Sequence, residues 1–166
     1  MMRIITPQPL TAQAFAPYGD VIEATDGCEQ FAINEGNTTR FHDQMKVDVA
    51  SGGGEVCVSV FRSTPLPQPI VIKLMEFHPL GSQAFMPLGG NAYLVVVAEP
   101  GEFDAAKIKV FRARGNQGVN YAKGTWHHYC LALEGESDFL VIDRKGNGDN
   151  CVEHTLVEAE QIKIAP

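Results

Sequence analysis

At 166 residues the chain is long enough for one domain that buries about 70% of its unfolded surface. A net charge of −7 without any Lys/Arg cluster argues against a nucleic-acid surface, and no apolar run approaches the ~20 residues that span a bilayer. The start, Met1 to Pro7, lacks the apolar stretch of a signal peptide. The four cysteines (Cys28, Cys57, Cys130, Cys151) form no Cys-x-x-Cys pair, so reduced thiols in a cytoplasmic protein are expected.

Thr11 is a suitable N-cap for a short helix through Ala12–Ala16, which Pro17 and Gly19 end. Asp20 to Glu23 reads as a short strand. Phe31 to Asp43, mixed in Asn, Gly, Thr and charge, reads as two short strands or a wandering loop. Glu55 to Ser63 alternates, with Val56, Val58 and Val60 on one face and Cys57, Ser59 and Phe61 on the other. Pro65, Pro67 and Pro69 each lack a ladder donor, so no interior strand runs between them. Pro69 to Phe77 is again a strand, followed by a turn and a short strand at Gln83 to Met86. Ala92 to Ala98 is apolar throughout, which predicts a central strand buried on both faces. Ile108–Arg112, Gly118–Tyr121, His128–Leu133, Asp138–Asp143 and Val152–Val157 complete the strands, and residues 144–150 form a polar loop. Many short strands, Gly and Pro turns and hardly any helix predict an all-β sandwich or barrel with one or two short helices, as one domain over 1–166.

Polar groups with chemical potential fall at two places. On a strand from Ile70 to His78 the even positions share a face, so Ile70, Ile72 and Leu74 lead to Glu76 and His78 at its end. Gln83 returns beside them across a tight turn. The second place is the turn at Gly124, which delivers Trp126, His127 and His128. If Gly118–Tyr121 and Tyr129–Leu133 pair as a hairpin, His127 and His128 point to opposite faces. Tyr93 and Trp126 suit a core or pocket wall. Arg62, Lys73 and Arg144 are the cations available to anchor a carboxylate.

Glu76-x-His78, Gln83 and Gly90, followed by Ala122-x-Gly124-x-x-His127, resemble the two motifs of the cupin superfamily. Glu76 stands where those motifs have His, Gln83 where they have Glu, and Ala122 where they have Pro. The resemblance implies a double-stranded β-helix with Glu76, His78, Gln83 and His127 around a divalent metal. Ni²⁺, Zn²⁺, Mn²⁺ and Fe²⁺ all suit two imidazoles, a carboxylate and an amide, with Ni²⁺ favoured.

A closer resemblance spans nearly the whole chain. His78-Pro79-Leu80-Gly81-Ser82-Gln83-Ala84-Phe85, Gly118-Val119-Asn120-Tyr121, Trp126-His127-His128 and Asp138-Phe139-Leu140 with Ile142-Asp143-Arg144 are similar to the ureidoglycolate lyase family of allantoin breakdown. It implies a cupin fold, a homodimer, and cleavage of (S)-ureidoglycolate to glyoxylate and urea. His78, His127, Glu76 and Gln83 are then the catalytic candidates, and Tyr93, Trp126, His128 and Arg62 the substrate-binding ones. The chemistry needs a base for the substrate hydroxyl, an acid for the departing nitrogen and a cation for the carboxylate. The competing readings are a metal-dependent cupin isomerase or dioxygenase acting on another small acid, and a non-catalytic cupin that binds a small carboxylate.

Overall fold

A computed structural model describes residues 2–166. Its strands wind back and forth between two facing sheets, the arrangement expected of a cupin-type sandwich. The larger sheet runs in the order Val152–Thr155, Leu74–Phe77, Trp126–His127, Gly90–Ala98, Lys109–Gly115, Gln8–Pro9, with Leu131–Ala132 also paired to Gly90–Ala98. The five-stranded sheet runs Gly19–Ile22, Gly118–Tyr121, Gln83–Pro87, Ser137–Lys145, Glu55–Ser63. Both are open at their ends, so no continuous barrel closes. Three strands, Arg3–Ile5, Ile162–Ile164 and Val71–Ile72, make a small third sheet, and Gln30–Ile33 with Thr38–Phe41 form a separate hairpin. Among the described residues no helix is long and apolar enough to cross a membrane.

Side-chain alternation along Gly90–Ala98 builds two cores. Tyr93, Val95 and Val97 face the five-stranded sheet and meet Phe85, Val119, Tyr121, Phe139 and Val141. Leu94, Val96 and Ala98 face the other way and pack with Ile72, Met75, Trp126, Leu156 and Ile162. A strand buried on both faces is what its uninterrupted apolar sequence requires. The helix Ala12–Phe15 is short, and the Thr11 side chain accepts from the Ala14 amide at 3.1 Å, as its sequence predicts. Its purpose is Phe15, fully buried and edge-on to Phe111 with ring centroids 5.9 Å apart.

Three expectations are corrected. Pro69–Phe77 is not one strand. Val71–Ile72 pairs with Ile162–Ile164, whereas Leu74–Phe77 joins the larger sheet, and between them the Lys73 carbonyl accepts from Leu156. The change of partner shifts the side-chain parity. Ile70 and Ile72 pack in the outer core with Met75 rather than on the face of Glu76. The second correction concerns Gly124. Gly118–Tyr121 forms no hairpin with the residues after the turn. Of the strand expected over His128–Leu133 only Leu131–Ala132 is extended, and both it and Trp126–His127 pair with Gly90–Ala98, so the turn carries the chain from the five-stranded sheet to the larger one. The third concerns Arg144, expected in a solvated loop. It is buried, and its guanidinium donates to the Ser51 and Asn147 carbonyls, which pins the turn at Ser51–Gly54. The pairing of Arg3–Ile5 with Ile162–Ile164 went unforeseen because its partners lie at opposite ends of the chain.

Candidate active site

Register alone places four side chains between the sheets. His127 lies opposite Glu76 in the larger sheet, and Tyr121 opposite Gln83 in the five-stranded one. Directly paired residues share a face, so each pair projects together. The two pairs meet across the interior: the Tyr121 and His127 rings stack at 4.2 Å with 2° between their planes. His127 Nδ1 is 3.8 Å from Glu76 Oε1, and the His78 and His127 rings are 5.0 Å apart. The tight turn after His78 returns Gln83 as expected, with His78 Nε2 3.1 Å from Gln83 Oε1.

The turn at Gly124 fixes where His127 arrives. Gly124 has φ +85°, and its amide donates to the His78 carbonyl at 3.0 Å, tying the two histidine segments together. A β-carbon there would meet only Pro100, at an ordinary 3.7 Å, so the cost of a side chain is conformational rather than steric. Gly124→Ala should lower stability by about 1–2 kcal/mol, read as a lower urea midpoint with an unchanged slope.

Hydrogen-bond partners settle which atoms carry lone pairs. His78 Nδ1 lies 2.5 Å from the Asn150 carbonyl, and a carbonyl only accepts, so Nδ1 is protonated. Gln83 Nε2 donates to Asp143 Oδ2 at 3.2 Å, which turns Gln83 Oε1 toward His78. Nε2 of His78 and Oε1 of Gln83 therefore present acceptors to one another. Only a cation satisfies both: a metal ion or a proton. His127 repeats the pattern. Its Nδ1 donates to the His128 carbonyl at 3.1 Å, and its Nε2 is buried without a hydrogen-bond partner. Burial, followed by the neighbouring His78, pushes the His127 pKa down to about 3, so the imidazole is neutral. The 3.8 Å approach of Glu76 is consequently not an ion pair at neutral pH. One donor atom from each of Glu76, His78 and His127 lies within 4.8 Å of the other two. Metal ligands sit ~2.0–2.2 Å from the ion, so this spread, with the Gln83 oxygen beside it, fits a divalent metal.

A cavity of about 280 Å³ opens onto the group, with Glu76, Gln83, Phe61, Phe85 and Tyr129 in its wall. Arg62 also reaches it, but its guanidinium forks onto Asp138 at 2.8 and 2.9 Å, with Glu136 3.6 Å away. The other substrate-binding candidates stand away from this wall. The Tyr93 hydroxyl donates to the Gln117 carbonyl inside the inner core. Trp126 packs in the outer core and donates to the Gly101 carbonyl. His128 is buried, and its Nδ1 lies 3.0 Å from the Tyr129 carbonyl. Lys73 is exposed. Three contributors were not anticipated: Asp143, Asn150 and Tyr121. Asp143 had a legible signal, since it follows Phe139 and Val141 on the inward face of an alternating strand. Asn150 had none, because a loop carbonyl leaves no trace in side-chain pattern.

Two imidazoles, a carboxylate and a carboxamide, clustered between two β-sheets with the carboxylate and carboxamide lining a small cavity, define a small-molecule enzyme site with a metal-type donor set. The sequence comparisons narrow the class to one family. The profile described as Ureidoglycolate lyase matches residues 2–164. Proteins named ureidoglycolate lyase are 49% identical in Pseudomonas syringae pv. tomato, covering 99% of this chain and 97% of that one, and 52% identical in Burkholderia mallei, covering 95% and 92%. The chain belongs to the ureidoglycolate lyase family, a family of lyases. Among solved structures, a 3,4-ketoisomerase from Thermoanaerobacterium thermosaccharolyticum matches with TM-score 0.44 and 14% identity, covering 80% of this chain and 84% of that one. An oxalate oxidase bound to a substrate analogue matches with TM-score 0.36 and 13% identity, covering 88% and 79%. Both fall below the similarity at which a shared fold follows.

Proposed function

We propose that this protein cleaves (S)-ureidoglycolate to glyoxylate and urea, with a divalent metal held by Glu76, His78, Gln83 and His127 in a single domain over 1–166. The observation that carries the metal is the facing pair of acceptors, His78 Nε2 and Gln83 Oε1, beside the unpartnered His127 Nε2. The cavity supports the same reading. Its one lining cation among the described residues, Arg62, is already neutralised by Asp138, so the substrate carboxylate needs another positive charge. A bound divalent ion would chelate the α-hydroxy carboxylate and acidify its hydroxyl.

The protein's own groups then carry the proton. Glu76 lines the cavity and accepts the hydroxyl proton as the C–N bond breaks. Its Oε1 faces His127 and its Oε2 accepts from the Cys151 thiol at 3.5 Å, so the carboxylate is held in place. The same carboxyl returns the proton to the departing urea nitrogen, and the carbinol carbon becomes the aldehyde of glyoxylate. Neutral His127, fixed by its stack on Tyr121, holds its lone pair toward no proton donor and so stays free to ligate. The working form in this reading is a homodimer, carried over from the family, in the cytoplasm, where the four cysteines would stay reduced.

Incubation of purified protein with (S)-ureidoglycolate should release glyoxylate and urea in equal amounts without ammonia. Exhaustive chelation should abolish turnover, and Ni²⁺ or Mn²⁺ should restore it. Activity undiminished in protein shown metal-free by elemental analysis would instead favour the second cation that the geometry admits. His78 would then be an imidazolium that donates to Gln83 and acts as the acid.

A further inference from the structure

We propose that Asp143 is a positioning residue that makes Gln83 a metal ligand, an inference that rests on the metal reading above. The two ends of a glutamine amide are nearly the same size, so the neighbours decide which end faces a site. Asp143 Oδ2 lies 3.2 Å from Gln83 Nε2 and a carboxylate only accepts, so the NH₂ end is held outward and the oxygen inward.

The alternative orientation is favourable on the site side. His78 Nδ1 is committed to the Asn150 carbonyl, which leaves a bare lone pair on Nε2. A flipped Gln83 would donate its NH₂ to that lone pair. The flip removes two donors from the metal at once, the Gln83 oxygen and the His78 nitrogen. Asp143 opposes it because the flipped amide would turn an oxygen onto a carboxylate. Asp143 is not among the groups of potential ligand atoms found within 4.8 Å of one another, so it acts through Gln83 and not on the metal. Outer partners of this kind change metal affinity by ~10–100-fold when removed.

The test titrates Ni²⁺ into chelator-treated protein and reads the dissociation constant by calorimetry, with near-ultraviolet circular dichroism as the check on folding. Asp143→Asn keeps the size of the side chain but can present either end, and should weaken Ni²⁺ binding by ~10–100-fold. The double variant Gln83→Glu with Asp143→Asn exchanges amide and carboxylate. It places an oxygen toward the metal whichever way it turns, and should restore the wild-type affinity. Asp143→Asn binding Ni²⁺ as tightly as wild type overturns the proposal while leaving the metal site intact. Weak binding in both variants, with native dichroism, also overturns it, because orientation is then not what Asp143 supplies. Wild-type protein that binds no Ni²⁺ sinks the metal reading itself, and Asp143 with it.

Discussion

His78→Ala is expected to cut turnover of ureidoglycolate by at least ~100-fold while the protein folds normally, the scale on which loss of a proton-transfer or charge-stabilising group acts. The ring contacts Gln83 and the Asn150 carbonyl, is only partly buried, and belongs to neither core, so its removal leaves the packing in place. His127→Ala should lose as much activity and, in addition, stability, because its buried ring is stacked on Tyr121. His128→Ala should cost less turnover, since that ring stands outside the donor group. Turnover of ureidoglycolate by His78→Ala at the wild-type rate, in a natively folded protein, would place the site elsewhere.

Acidification should destabilise the fold well before its surface carboxylates titrate. Burial holds the pKa of His127 down to about 3 and that of His128 to about 4, whereas in the unfolded chain each lies near ~6.5. Between those values the unfolded chain binds more protons than the native one. Stability therefore rises with pH through this window and levels off above the unfolded value. Going down to pH 4 should remove roughly 3 kcal/mol through each histidine, at about 1.4 kcal/mol per pH unit. Urea unfolding of chelator-treated protein at pH 7 and pH 5 measures the loss. His128→Gln should shrink the difference between the two pH values, since one of the two buried imidazoles is gone. An unchanged difference would show that His128 is not buried neutral.

Local chemistry was enough to read the all-β class, the helix capped by Thr11, the two-faced burial of Gly90–Ala98 and the return of Gln83 to His78. Each depends on neighbours close in sequence: a cap three residues from its amide, an uninterrupted apolar run, a five-residue turn. The inward set of Glu76, His78, Gln83 and His127 was legible from spacing and family resemblance. Asp143 was legible from parity on its strand. What the sequence could not carry was the choice of partner. The break at Lys73, which divides Ile72 from Glu76, follows from a third sheet closed by residues near the C-terminus. The Gly124 turn looks the same in sequence whether it closes a hairpin or crosses between sheets, because φ at one glycine does not say which strand comes next. Arg62 and Arg144 each read as free cations until folding brought Asp138 to one and the Ser51 carbonyl to the other. Lone-pair direction is likewise a tertiary property. Composition supplies the imidazoles and the amide, but only the carbonyls of Asn150 and His128 and the carboxylate of Asp143 decide which of their atoms keep a free lone pair.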